Sequence, residues 1–247
     1  MTLILAIAVG ALFAVWLVTG VRLMRLAHRT RALPEFVLGL SLLLMAGLGY
    51  PLSVVAQFAG EHALLATAAA SLFTNTGTAL LFVFTARVFH GASRAAAAAV
   101  GLAALLLVAQ AVGNVGSHAA AGSEAERVAA TLRWGAGSLA LNGAAWGWTA
   151  FDALRHYALL RRRVRLGLAD PVVANRMLLW GLMGAGAVAC VVVDSLLLYL
   201  GGESGRELGV PLVTAATGLG VSVCMILAFW PPAAYLDRIR GRASQRA

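Results

Sequence analysis

RHYALLRRRVRLGLADPVVANRMLLW, residues 155–180, decides how the chain is read. Six arginines, Arg155, Arg161, Arg162, Arg163, Arg165 and Arg176, fall between long apolar runs. Gly167 supplies a helix stop, and Asp170 followed by Pro171 supplies an N-cap and a first helical residue. The stretch therefore reads as the end of one membrane helix, a tight turn and the start of the next. Guanidinium groups resist translocation through lipid, so the cluster is expected on the cytoplasmic side and orients the rest of the chain.

The composition around it agrees. Of 247 residues 61% are hydrophobic and 12% charged, with a mean hydropathy of +0.85, which points to an all-α polytopic membrane protein. A net charge of +9 would suggest nucleic acid in a soluble chain, but here the arginines sit in short segments between apolar runs, where anionic lipid headgroups are the expected partner. All the basic side chains are arginine. Without lysine there is no Schiff base, and so no covalently held retinal. Cys190 and Cys224 lie inside apolar runs without a CxxC spacing, which argues against a disulfide framework.

Working outward, the periodicity and boundary signals predict seven helices at about 2–24, 34–58, 63–89, 94–115, 124–166, 171–200 and 205–230, a transmembrane domain of residues 1–232. A basic tail follows at 233–247. Thr2 to Gly20 lacks a basic leader and a small-residue cleavage site, so it is expected to stay as the first helix. Pro34 and Glu35 open the second helix, and Pro51 is expected to kink it. Ser93 is a candidate N-cap, while Ser123-x-x-Glu126 and Ser204-x-x-Glu207 match capping boxes. The fifth helix would reach about 65 Å, about twice the hydrocarbon thickness. Arginines Arg22, Arg25, Arg29, Arg31, Arg87, Arg94, Arg238, Arg240, Arg242 and Arg246 join the six above on the inner side. Only Arg127, Arg133 and Arg206 remain outside, which predicts an outside N-terminus, seven crossings and a cytoplasmic C-terminus. Gly143-x-x-x-Gly147 with Gly181, Gly184 and Gly186 are expected to be faces for close helix packing.

Ionisable groups within apolar spans are costly and therefore informative. Asp194 in the sixth helix and Arg133 in the fifth fall at comparable depths, so an ion pair, direct or bridged, is expected. Tyr50, Asn75, Gln110, Asn114, Asn142 and Thr214 are biased toward the outer half. With Asp194 and Arg133 they form the candidate ligand-binding set, although each also has a plain reading as an interhelical hydrogen bond. His28, His62, His90, His118 and His156 have no metal-ligand spacing, and no G-x-S-x-G is present. No metal, cofactor or catalytic activity is expected.

Arg161 to Trp180, RRRVRLGLADPVVANRMLLW, resembles a connector of bacterial seven-helix integral membrane proteins to which no activity is attached. The resemblance implies an inner-membrane location in a bacterium. In layout the chain is similar to rhodopsin-like receptors, but it has neither the D-R-Y nor the N-P-x-x-Y pattern, so the likeness concerns fold alone. The expected function is a receptor or sensor that takes a small molecule or lipid in an outer pocket. Its output would be the arginines of 155–176, offered to a cytoplasmic or membrane protein partner. The competing expectations are a small-solute transporter or channel, and a structural subunit of a membrane complex.

Overall fold

A computed structural model describes residues 2–56, 58–200 and 209–244. The described chain is 92% helix, with no strand among these residues. We number the helices α1 Thr2–Thr30, α2 Leu33–Ala56, α3 Ala63–Thr85 with a π-helical extension Ala86–His90, α4 Arg94–Ala120, α5 Glu124–Arg165, α6 Pro171–Leu200, α7 Val210–Phe229 and α8 Ala233–Ser244. The chain divides into two compact units. The middle unit is Trp16–Ala145, and the terminal unit combines Met1–Val15 with Trp146–Ala247.

Six stretches among the described residues are long and apolar enough to cross a membrane: Gly10–Thr30, Leu33–Ala56, Gly60–His90, Arg94–Ala120, Pro171–Leu197 and Leu212–Phe229. The 42-residue α5 is not among them, because Glu124, Glu126, Arg127, Arg133, Asp152 and the glycines and polar side chains of its middle lower its apolarity. At about 1.5 Å per residue it is still about 63 Å long.

In the middle unit, small residues set the helix spacing. A Cβ on Gly20 of α1 would lie 3.1 Å from the Gly39 carbonyl of α2, and one on Gly39 would lie 3.0 Å from the Gly20 carbonyl. The two backbones meet because neither carries a side chain there. Gly49 likewise backs onto Thr74, and Gly77 onto Met45 and the Ser41 carbonyl, which seats α2 against α3. Leu42, Met45, Ala46 and Leu81 are buried at this seam. α2 accommodates Pro51 with a π-helical stretch, Leu43–Gly49, that ends with the Tyr50 N–H donating to the Met45 carbonyl. Proline lacks an N–H and crowds the carbonyl four residues earlier, and a wider turn there relieves both.

The terminal unit is a set of antiparallel pairs. Along α5 and α6, Gly147 faces Val188, Gly184 faces Ala150 and the Trp146 carbonyl, and Gly181 faces Leu154. Along α6 and α7, Gly186 faces Val221, and the rings of Trp180 and Phe229 meet edge to face at 5.8 Å. The expected glycine packing at 147, 181, 184 and 186 is present. Leu12 of α1 packs on Gly218 of α7.

The boundary signals hold at most ends. Ser93 Oγ accepts from the Ala96 N–H, Ser123 Oγ from the Glu126 N–H and Asp170 Oδ1 from the Val172 N–H. At the end of α5, Gly167 takes φ 67°, and the Leu168 N–H returns to the Arg163 carbonyl at 2.9 Å. Three ends differ from expectation. α1 continues to Thr30 rather than 24, so Arg22, Arg25, His28 and Arg29 ride on the helix, and Arg31 makes the turn at φ 57°. α4 continues to Ala120 rather than 115, because Ser117 and His118 find partners on α5 and stay helical. The tail becomes a helix, α8, after Pro231–Pro232. The second capping box, Ser204 to Glu207, lies outside the described residues.

Candidate functional site

The polar side chains singled out from the sequence fall into two groups. Tyr50, Asn75, Gln110, Asn114, Arg133 and Asn142 belong to the middle unit; Asp194 and Thr214 belong to the terminal unit.

In the middle unit the polar groups bond to one another across helices. Asn75 Nδ2 of α3 donates to Gln110 Oε1 of α4 at 2.6 Å and to the Leu107 carbonyl at 2.9 Å. Gln110 Nε2 passes the chain on to the Trp134 carbonyl of α5 at 3.1 Å. One turn along, Asn114 Nδ2 donates to Ser71 Oγ at 2.9 Å. Beyond it, Trp134 Nε1 donates to Ser117 Oγ at 2.8 Å, and His118 Nε2 meets Thr131 Oγ1 at 3.1 Å. In the other direction, Asn142 Nδ2 reaches Tyr50 OH at 3.2 Å and Thr78 Oγ1 at 3.4 Å. The rungs extend along α5 from Thr131 to Asn142, about 16 Å. Asn75, Gln110 and Asn142 are buried, whereas Arg133 is exposed. In hydrocarbon such bonds each contribute about 0.6 to 2 kcal/mol, so their first effect is to clamp α2, α3, α4 and α5.

The terminal unit holds a different arrangement. Asp194 sits on α6, six residues short of its end. Its Oδ2 accepts from Thr214 Oγ1 of α7 at 3.0 Å and from Cys190 Sγ, one turn back on α6, at 3.2 Å. Its Oδ1 is buried and has no hydrogen-bond partner among the described residues. Thr217, the next turn of α7, returns its hydroxyl to the Val213 carbonyl at 2.6 Å. This is a carboxyl group inside an apolar span, tied across two helices by one oxygen only.

At the opposite end of α6 a second bond joins the same part of the chain. Asn175 Nδ2 donates to Tyr235 OH of α8 at 2.9 Å, and Tyr235 OH donates back to Asn175 Oδ1 at 3.2 Å. Phe229 and Trp230 pack edge to face at 6.4 Å just before the turn into α8. Arg155, Arg161, Arg162, Arg163, Arg165 and Arg176 are all exposed, as are Leu166 and Leu168 between them.

The candidate set drawn from the sequence contains both Asp194 and Thr214, which bond to each other, but paired Asp194 with Arg133 and passed over Cys190, because a thiol in an apolar run carries no motif. It also passed over Asp152, which is 2% exposed within α5, and its neighbour Thr149. The signal for Asp152 was present: an acid in AAWGWTAFDAL is an ionisable group in an apolar stretch. The Asn175–Tyr235 pair lies 60 residues apart and had no local signature. No group of three His, Cys, Asp or Glu side chains that could hold a metal ion occurs among the described residues. No protein-family model, curated protein or solved structure matches the chain.

Proposed function

We propose that this is a seven-crossing membrane sensor in which the Asp194–Thr214 contact is the switch and the arginine-rich inner face is the output. α5 serves as the seventh crossing, since a helix of about 63 Å exceeds the hydrocarbon thickness of about 30 Å. The arginine distribution then puts the N-terminus outside and the 155–176 connector in the cytoplasm of a bacterial cell. The hydrogen-bonded seam of Tyr50, Asn75, Gln110, Asn114 and Asn142 holds the other helices while α6 and α7 respond.

The observation that carries this reading is that α6 is bonded near one end to α7 and near the other to α8. Thr214 holds it near one end, and Tyr235, on the helix that follows α7, holds it near the other. A change at Asp194 that shifts α6 along α7 must therefore strain the Asn175–Tyr235 contact, beside the connector arginines. A ligand or partner that favours one of the two arrangements shifts the population by its differential affinity.

Spin labels at L168C, in the connector, and A234C, on α8, test this in proteoliposomes after replacement of the native cysteines, with Cys190 changed to Ser. Thr214→Val, which removes the donor to Asp194, should change the distance distribution between the labels. An unchanged distribution in Thr214→Val, with a changed one in Tyr235→Phe, would show that the two ends are not coupled and would sink the sensor reading.

A further inference from the structure

We propose that the Asp194 cluster is a proton-binding site, and that the stimulus it takes is a proton rather than a larger ligand. The inference deepens the sensor reading and rests on it for the word stimulus; the proton site itself stands on local geometry.

The two carboxyl oxygens are treated unequally. Oδ2 accepts two hydrogen bonds, from Thr214 Oγ1 and Cys190 Sγ, while Oδ1 is buried and accepts none among the described residues. An ionised carboxylate spreads its charge over two equivalent oxygens and needs donors at both. A neutral carboxyl group divides into a carbonyl oxygen that accepts and a hydroxyl oxygen that does not need to. The pattern matches the second, with Oδ2 as the carbonyl and the O–H bond on Oδ1. A buried neutral hydroxyl without an acceptor costs about 1–3 kcal/mol, far less than a carboxylate held in hydrocarbon by two uncharged donors. Because Oδ1 is enclosed, a proton is the one cation that needs no further room beside it.

Among the described residues of the terminal unit, no competing charge lies at close range. On α6 itself the nearest titratable group is the Cys190 thiol, already a donor to Oδ2. α7 faces the cluster with Thr214 and Thr217, both neutral, and Cys224 lies ten residues along that helix. On α5, Asp152, Arg155 and His156 lie near the level of Gly181 and Gly184, since those glycines face Leu154 and Ala150. That is ten or more residues along α6 from Asp194, about 15 Å. The Gly10–Val15 segment carries no ionisable side chain, and Glu203, Arg206 and Glu207 lie outside the described residues. The step itself is simple. A proton from the aqueous phase near the end of α6 forms an O–H bond at Oδ1 and cancels the carboxylate charge; on release it returns to water. Release makes the oxygens equivalent again and leaves Oδ1 demanding a donor, which Thr214 can supply only by leaving Oδ2 or by moving α7 against α6.

Infrared difference spectra of the full chain in lipid nanodiscs, taken between alkaline and acid buffer, test the proposal. The expected result is a protonated-carboxyl carbonyl band that shifts on labelling with 4-13C-aspartate, is lost in Asp194→Asn and moves in Cys190→Ser. The Cys190 S–H stretch should shift in step with it. Labelled wild type needs no variant to fold, so the test survives if Asp194→Asn misfolds. An aspartate band that ignores both Cys190→Ser and the S–H stretch, or no aspartate carbonyl band at any pH, would overturn the proton site. Failure here with coupled spin-label distances would leave a sensor with another stimulus. Success here with uncoupled distances would leave a proton site without the output.

Discussion

Asn75 cannot be shortened without orphaning the Gln110 amide oxygen and removing the second donor to the Leu107 carbonyl. Asn75→Ala is expected to cost about 1–3 kcal/mol. Because Gln110 shares the chain of bonds, Asn75→Ala/Gln110→Ala should cost less than the sum of the single changes, which thermal unfolding in detergent can measure. At Asp194 two arrangements are distinguishable. The sequence suggested an ion pair with Arg133; a neutral carboxyl group has no use for one. The charge swap Asp194→Arg/Arg133→Asp should therefore fail to recover the folded yield of either single variant, and recovery to the wild-type level would favour the ion pair. Residue types at depth were legible, since Asp, Asn and Gln stand out in apolar runs. What each one bonds to was not, because the partners come from helices distant in sequence: Tyr50 meets Asn142 across 92 residues.

Helices and their caps were the most readable level, for a local reason. Ser93, Ser123, Gly167 and Asp170 act on backbone groups within five residues of themselves, so their side chains and φ preferences carry the answer. The extensions of α1 and α4 were not readable that way, because a basic or polar residue marks a membrane boundary without ending a helix. The π-helical stretch before Pro51 is a helix-scale device, and Pro51→Ala should let Leu43–Gly49 return to α geometry and turn Tyr50 away from Asn142. Loss of the Tyr50–Asn142 contact would be seen as a change in tyrosine fluorescence. Close packing of α5 on α6 depends on Gly184, where a Cβ would lie 2.8 Å from the Trp146 carbonyl. Gly184→Leu should destabilise the protein by about 1–3 kcal/mol or more, read from its unfolding in detergent.

For the molecule as a whole, the all-helical class followed from composition, and six helices among the described residues are long and apolar enough to cross a membrane. The seventh rests on α5, whose length suits a crossing and whose apolarity alone does not mark it. The C-terminal end of α5 and the connector carry exposed arginines together with exposed Leu166 and Leu168, and α8 carries exposed Arg238 and Arg240, side chains suited to anionic phospholipid. Each arginine near such a surface contributes about 1 kcal/mol. Brominated anionic lipid should then quench Trp180 and Trp230 more than brominated zwitterionic lipid does. Changing Arg161, Arg162 and Arg163 together to Gln should remove most of that preference.

The placement of α5 decides whether the connector arginines and the α4–α5 turn lie on opposite sides of the membrane. Single cysteines at Ala121→Cys and Leu168→Cys, with Cys190 changed to Ser and Cys224 to Ala, can be reacted with a membrane-impermeant maleimide in intact cells. Position 121 should label directly and position 168 only after the membrane is opened. Labelling of both positions from the same side would mean that α5 does not cross, and the sensor described here would lose its output face.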